Sequence, residues 1–325
     1  QEESQKKIET TNTSKEIALK ITEKKILIDT PKGKFNVWTK SVGDSPTKRV
    51  LLLHGGPGGT HEFFECFEDH MPQEGIEFIY YDQLGSHFSD QPSDTSLWTI
   101  ERFVDEVEQV RVALGLNKDN FYLYGQSWGG ILAAEYALKH QDKMKGLIIS
   151  NMVMDIQDYC DYAKEVLGPQ MPAGVFEEIM AIEAEEDYSN PRYMELLTKH
   201  HYSEHIMRKP EAEWPDAVKR AFEHLNPEVY VFMQGHSEFG ITAGATLIGW
   251  SVKDRLPELS VPTLSIGAQH DSMDPEHMKW IATQVHHGRS LHCPDGSHLC
   301  QYDDPKHFFP GLISFIHDVD QGSFN

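Results

Sequence analysis

The sequence predicts an α/β chain: a mostly parallel, eight-stranded sheet covered on both faces and interrupted once by a helical insertion. Three observations predict it. Short, nearly continuous apolar runs recur along the chain, as strands buried on both faces require. Helix-forming segments alternate with them, which is how a parallel sheet is built. Between residues 153 and 250 that alternation stops and acidic helical stretches replace the strands.

KKILID (24–29) and FNVWTK (35–40), joined by TPKG with its turn-forming Pro and Gly, read as an N-terminal hairpin. RVLLL, EFIYYD, NFYLYG and KGLIIS follow as strands, and ILAAEYALKH (131–140) has the residues of a buried helix. GVFEEIMAIEAEEDY and AEWPDAVKRAFEHL are the helical stretches of the insertion. VPTLSIG and GRSLHC resume the strand pattern, and HFFPGLISFIHDV closes the chain as an amphipathic helix. Eight strands with an insertion after the sixth fit an α/β-hydrolase core over 21–152 and 251–325, with a helical cap over 153–250. Residues 1–20 are polar and apolar-poor, and a disordered tail is expected there. Such a tether often follows a removed export signal, so an extracytoplasmic location, periplasmic or secreted, is expected over a cytoplasmic one.

Among 325 residues, 51 Asp and Glu face 29 Lys and Arg, a formal charge of −22. That balance opposes nucleic acid and anionic lipid and favours a cationic substrate group. No apolar run approaches the roughly 18–20 residues of a membrane span. The four cysteines, Cys66, Cys160, Cys293 and Cys300, have no C-x-x-C spacing. Cys293 and Cys300 alone are close enough for a local disulfide, and free buried thiols are the expected state.

Gly125-Gln126-Ser127-Trp128-Gly129 is a G-x-S-x-G between a strand and a helix, the context of a nucleophile elbow. A serine on so sharp a turn crowds its neighbours, so the positions two before and two after it must lack a Cβ. Its hydroxyl needs a base, and the base an orienting carboxylate, in chain order Ser, Asp, His. Asp271 follows the strand TLSIG and His298 follows LHCPDG, both at strand ends. Asp274 competes with Asp271 but lies farther from the strand end. HGGPGG (54–59) follows a strand with glycines that let backbone approach a developing oxyanion. The N–H groups of Gly56 and Trp128 are the expected donors, with Gly55 as fallback, and His54 is expected to brace the loop.

His201-Tyr202-Ser203-Glu204-His205 matches H-x-x-E-H, in which two histidines one turn apart bind zinc. The pattern is short, the chain holds 18 histidines, and the serine machinery is complete elsewhere. No metal is therefore assigned.

HGGPGG, YDQLGSHFSDQP, GQSWGG, QGHSEF, IGWSVKDRLPELSVPTL, GAQHDSMDP and GSHLCQYDDP together resemble the proline iminopeptidase family of serine exopeptidases, especially its tricorn-interacting-factor branch, over roughly residues 24–318. The resemblance implies the Ser127, Asp271, His298 triad, no cofactor, and release of an N-terminal residue, often proline, from short peptides with a free N-terminus. It also implies cap glutamates that hold the free amine: Glu238 in QGHSEF matches best, then Glu204, with Glu213 behind it. A partly desolvated carboxylate facing an ammonium is how a chain end can be recognised. Relatives commonly carry D-Q-x-G-x-G-x-S where this chain has Asp82-Gln83-Leu84-Gly85-Ser86-His87-Phe88-Ser89, a departure at His87 and Phe88. An esterase or lactonase using the same triad, and a catalytically inactive binding module, are the alternatives.

Overall fold

The computed structural model describes residues 19–324. The polar tail expected over 1–20 lies almost wholly outside them. Eight strands form one sheet: β1 (Ile21–Thr30), β2 (Gly33–Val42), β3 (Arg49–Leu53), β4 (Glu77–Asp82), β5 (Phe121–Gln126), β6 (Gly146–Ser150), β7 (Thr263–Ala268) and β8 (Gly288–Cys293). Their spatial order is β1-β2-β4-β3-β5-β6-β7-β8. The β1–β2 hairpin and the β2–β4 pair are antiparallel, and every other pairing is parallel.

The apolar runs are continuous because both faces of the sheet are buried, and successive side chains enter different cores. Leu51, Leu53, Ile79, Leu123 and Ile149 pack into one, together with Phe103 and Val107 of α1 (Ile100–Leu114) and Ile131 and Ala134 of α2 (Trp128–His140). Val50, Leu52, Phe78, Tyr122 and Ile148 alternate with them and meet Phe64, Phe67, Phe308 and Leu312 on the opposite face.

Between β6 and β7 lie α3 (Ile156–Tyr162), α4 (Val175–Ala184), α5 (Pro191–Leu197), α6 (Asp216–Glu223) and α7 (Pro227–Met233). The helix expected in AEWPDAVKRAFEHL begins only at Asp216, because Trp214, ahead of Pro215, is extended. Thr198–Ile206 continues α5 as a π-helix. Beyond β7 come α8 (Pro275–Gln284), the short α9 (Cys300–Asp303) and α10 (Pro305–Asp320). Cys66, Cys160, Cys293 and Cys300 are all free thiols, the last three buried. Among the described residues no helix is long and apolar enough to cross a membrane.

Candidate active site

Ser127 sits between the end of β5 and the first turn of α2 at φ 59°, ψ −127°, a strained conformation for a residue with a Cβ. The glycines around it are required sterically. A Cβ on Gly125 would collide with the carbonyl oxygen of Gly129, and one on Gly129 with that of Leu53.

The loop after β3 comes beside this turn, so close that a Cβ on Gly55 would lie 3.0 Å from that of Ser127. His54 is fully buried, and burial drives its pKa down to about 4. The ring is therefore neutral. Its Nε2 accepts from the Gln83 N–H at 3.1 Å, which leaves Nδ1 to donate to the Gly55 carbonyl at 2.8 Å. The Gln83 amide donates to the His54 carbonyl at 3.1 Å and accepts from the Trp128 indole at 2.9 Å. One side chain thus ties the Gly55–Gly56 loop to the start of α2, the two segments expected to supply oxyanion donors.

Asp271 and His298 come from the turns after β7 and β8. His298 Nδ1 meets Asp271 Oδ1 at 2.8 Å, and Asn151 donates from Nδ2 to the other oxygen at 2.9 Å. The Asp271 side chain is completely buried. Asp274 instead caps α8, accepting from the Glu276 N–H at 2.9 Å. Burial pulls the His298 pKa down, but the field and hydrogen bond of Asp271, aided by Glu238, outweigh it and leave the imidazole above its ordinary value. Ser127 Oγ forms no hydrogen bond to His298 among the described residues; the two side chains share the wall of one cavity.

That cavity has a volume of about 340 Å³. Gly55, Gly56, Ser127, Trp128 and His298 form its polar floor, and Ile131, Met152, Ile156, Phe63 and Leu225 give it apolar walls. Glu238 lines it from the insertion. Its Oε1 accepts from Tyr202 at 2.7 Å and Tyr230 at 3.2 Å, while Tyr159 donates to its backbone carbonyl at 3.0 Å. Burial raises the Glu238 pKa, against the pull of the two phenols and of His298.

Glu204 and Glu213 are not brought to this cavity. Glu204 is half-exposed, 3.5 Å from Arg208, and borders a separate open depression of about 920 Å³. Glu213 is exposed on a turn before α6. Glu204 lies within Thr198–Ile206, where π-helical winding pairs i with i+5, and Glu213 lies beyond it in the turn Glu211–Glu213. Within the H-x-x-E-H match, the rings of His201 and His205 remain neighbours, with centroids 5.7 Å apart. His201 is buried with both ring nitrogens unpaired, its pKa lowered by burial to about 3. His205 Nδ1 contacts the His270 carbonyl at 2.8 Å, and the His205 and Ile206 carbonyls accept from the N–H groups of His298 and Leu299 at 3.0 and 2.9 Å. This segment supports the His298 loop through its backbone.

Asn151, Gln83 and the three tyrosines were not foreseen as site residues. Gln83 lies within the YDQLGSHFSDQP segment, which was a usable signal. Asn151 directly follows β6 at φ 55°, and no local pattern marks it.

Residues 48–309 match the alpha/beta hydrolase fold family. The chain is 55% identical to a proline iminopeptidase of Elizabethkingia meningoseptica over 300 residues, covering 92% of this chain and 100% of that protein. Among solved structures it resembles VinJ, with a TM-score of 0.83 at 28% identity over 91% of this chain and 99% of VinJ. It resembles a proline iminopeptidase of Mycobacterium smegmatis to a similar degree, with a TM-score of 0.82 at 28% identity over 93% of this chain and 100% of the other.

Proposed function

The chain belongs to the proline iminopeptidase family of α/β-hydrolases, and from that premise we propose how its own residues carry out aminopeptidase chemistry on short peptides with a free N-terminus. It is a serine aminopeptidase that releases the N-terminal residue, proline or another small or apolar one, through an acyl-enzyme. Ser127 attacks the first peptide carbonyl. His298, its Nδ1 engaged by Asp271, takes the serine proton on Nε2 and delivers it to the leaving amine. Water then attacks the aminoacyl ester, again through His298. The N–H groups of Gly56 and Trp128 receive the oxyanion in both steps. Residues 153–250 serve as the cap that closes the site, and no cofactor takes part.

The observation that carries this reading is Glu238, a desolvated carboxylate in the same cavity as Ser127 and His298. An incoming ammonium satisfies it through a charge-assisted hydrogen bond; a blocked amine leaves it buried and unpaired. Aminoacyl arylamides, prolyl included, tested with free and acetylated amines beside matched simple esters, check the reading. Cleavage confined to free amines is the expected result. Ester cleavage indifferent to the amine would move the assignment to an esterase and remove the role of Glu238.

A further inference from the structure

We propose that Glu62, His87 and His224 form a site for one divalent transition-metal ion of the zinc class, held across the seam between the sheet's loops and the inserted helices. Glu62 lies in the 3-10 turn His61–Asp69, His87 in the loop after β4, and His224 at the C-terminal end of α6. Their ligand atoms all fall within 4.8 Å of one another. Glu62 Oε1 is 2.7 Å from His224 Nδ1 and 3.5 Å from His87 Nε2. Donors about 2.0–2.2 Å from a tetrahedral ion sit roughly 3.4 Å apart, so the ligand atoms are already near the spacing required, and a turn of one of the two stacked imidazoles would aim both at one ion.

Four further features fit a cation. The Glu62 side chain is only 3% exposed, and its second oxygen is held by Arg220 at 2.7 Å, as outer partners orient metal ligands. Arg220 is itself paired with Glu65 at 2.7 Å, so two carboxylates face one guanidinium and a negative charge is left over. His87 adopts φ 35°, a left-handed conformation that is costly for a residue with a Cβ. His224 is about one-third exposed, which gives an ion a way in. Two imidazoles and one carboxylate suit zinc, copper or nickel better than calcium or magnesium, and they leave a fourth position for water.

The ion would brace the cavity from outside, because Phe63 and Leu225, next in sequence to Glu62 and His224, line it. Equilibrium dialysis of the untagged, chelator-stripped full chain against Zn²⁺ tests the site, with Co²⁺ as an optical probe of tetrahedral ligation. One equivalent per chain is expected, with a zinc-dependent rise in unfolding temperature. His224→Asn and His87→Gly should each weaken binding about tenfold or more; glycine suits the left-handed turn, so the second variant keeps the fold, checked by circular dichroism. Absence of saturable binding would overturn the proposal. So would binding untouched by both variants but lost in His307→Ala, which would assign it to the Asp295, Asp304 and His307 cluster.

Discussion

Glu238 and His298 face one cavity, and each shifts the other's proton equilibrium. Burial is the largest influence on both, lowering the imidazole and raising the carboxyl; beyond it, Glu238 raises His298 and His298 lowers Glu238. An ammonium bound at Glu238 offsets that carboxylate's charge, so substrate binding should bring the base back toward its ordinary pKa.

This coupling predicts two different acid limbs. As the proposed base, His298 must be neutral to accept the serine proton, and Asp271 holds its pKa above the ordinary value of an imidazole against the pull of burial, so the acid limb of kcat/KM should be displaced upward from that of a free imidazole. The limb in kcat, which reports the complex, should lie lower. Coincident limbs, or a kcat/KM limb that Glu238→Gln leaves in place, would count against the coupling. Stability moves the other way. A histidine whose folded pKa is raised contributes fully below its unfolded pKa and loses that contribution as pH rises through the folded one. Urea unfolding on both sides of that window should show the decline.

Ser127→Ala should fold normally and lose about 10⁴-fold or more in kcat on a prolyl arylamide. Retention of more than a few per cent of turnover would remove Ser127 as nucleophile.

Glu238→Gln should cost about 10–100-fold in kcat/KM for free-amine substrates, the worth of a charged hydrogen bond of about 1.5–3 kcal/mol. Glu204→Gln and Glu213→Gln, outside the cavity, should stay within about twofold, a surface-substitution effect. A reversal of that order would restore the two outer glutamates to amine binding.

Gln83→Ala should lower kcat more than it raises KM, because it unties the Gly55–Gly56 loop from Trp128 without touching the amine. A loss of about tenfold is expected, less than the 10²–10³ of removing an oxyanion donor outright. A change confined to KM would place Gln83 in substrate binding instead.

Gly129→Ala should fail to accumulate as folded protein, since its Cβ has nowhere to go but into the Leu53 carbonyl. Soluble expression and thermal unfolding read this directly; a variant melting near wild type would mean that β3 and α2 can part.

The strands and the charged residues at their ends were readable because both depend on short-range pattern. Alternate residues of RVLLL and FYLYG feed two cores, and Asp271 and His298 follow strands by a few residues. Glu204 rested on the family resemblance, and nothing in its local pattern fixes which way it faces; it stands half-exposed beside Arg208. Asn151 and Tyr202 act on partners 120 and 36 residues away, and no local window contains such a pair.

The backbone carbonyls of His205 and Ile206 hold the loop that carries His298. Trimming the inserted helices to leave a minimal hydrolase would therefore not open the site to larger substrates. It would cut away the backbone acceptors on which the His298 loop is mounted, so in this chain the inserted helices and that loop can only be inherited, or lost, together.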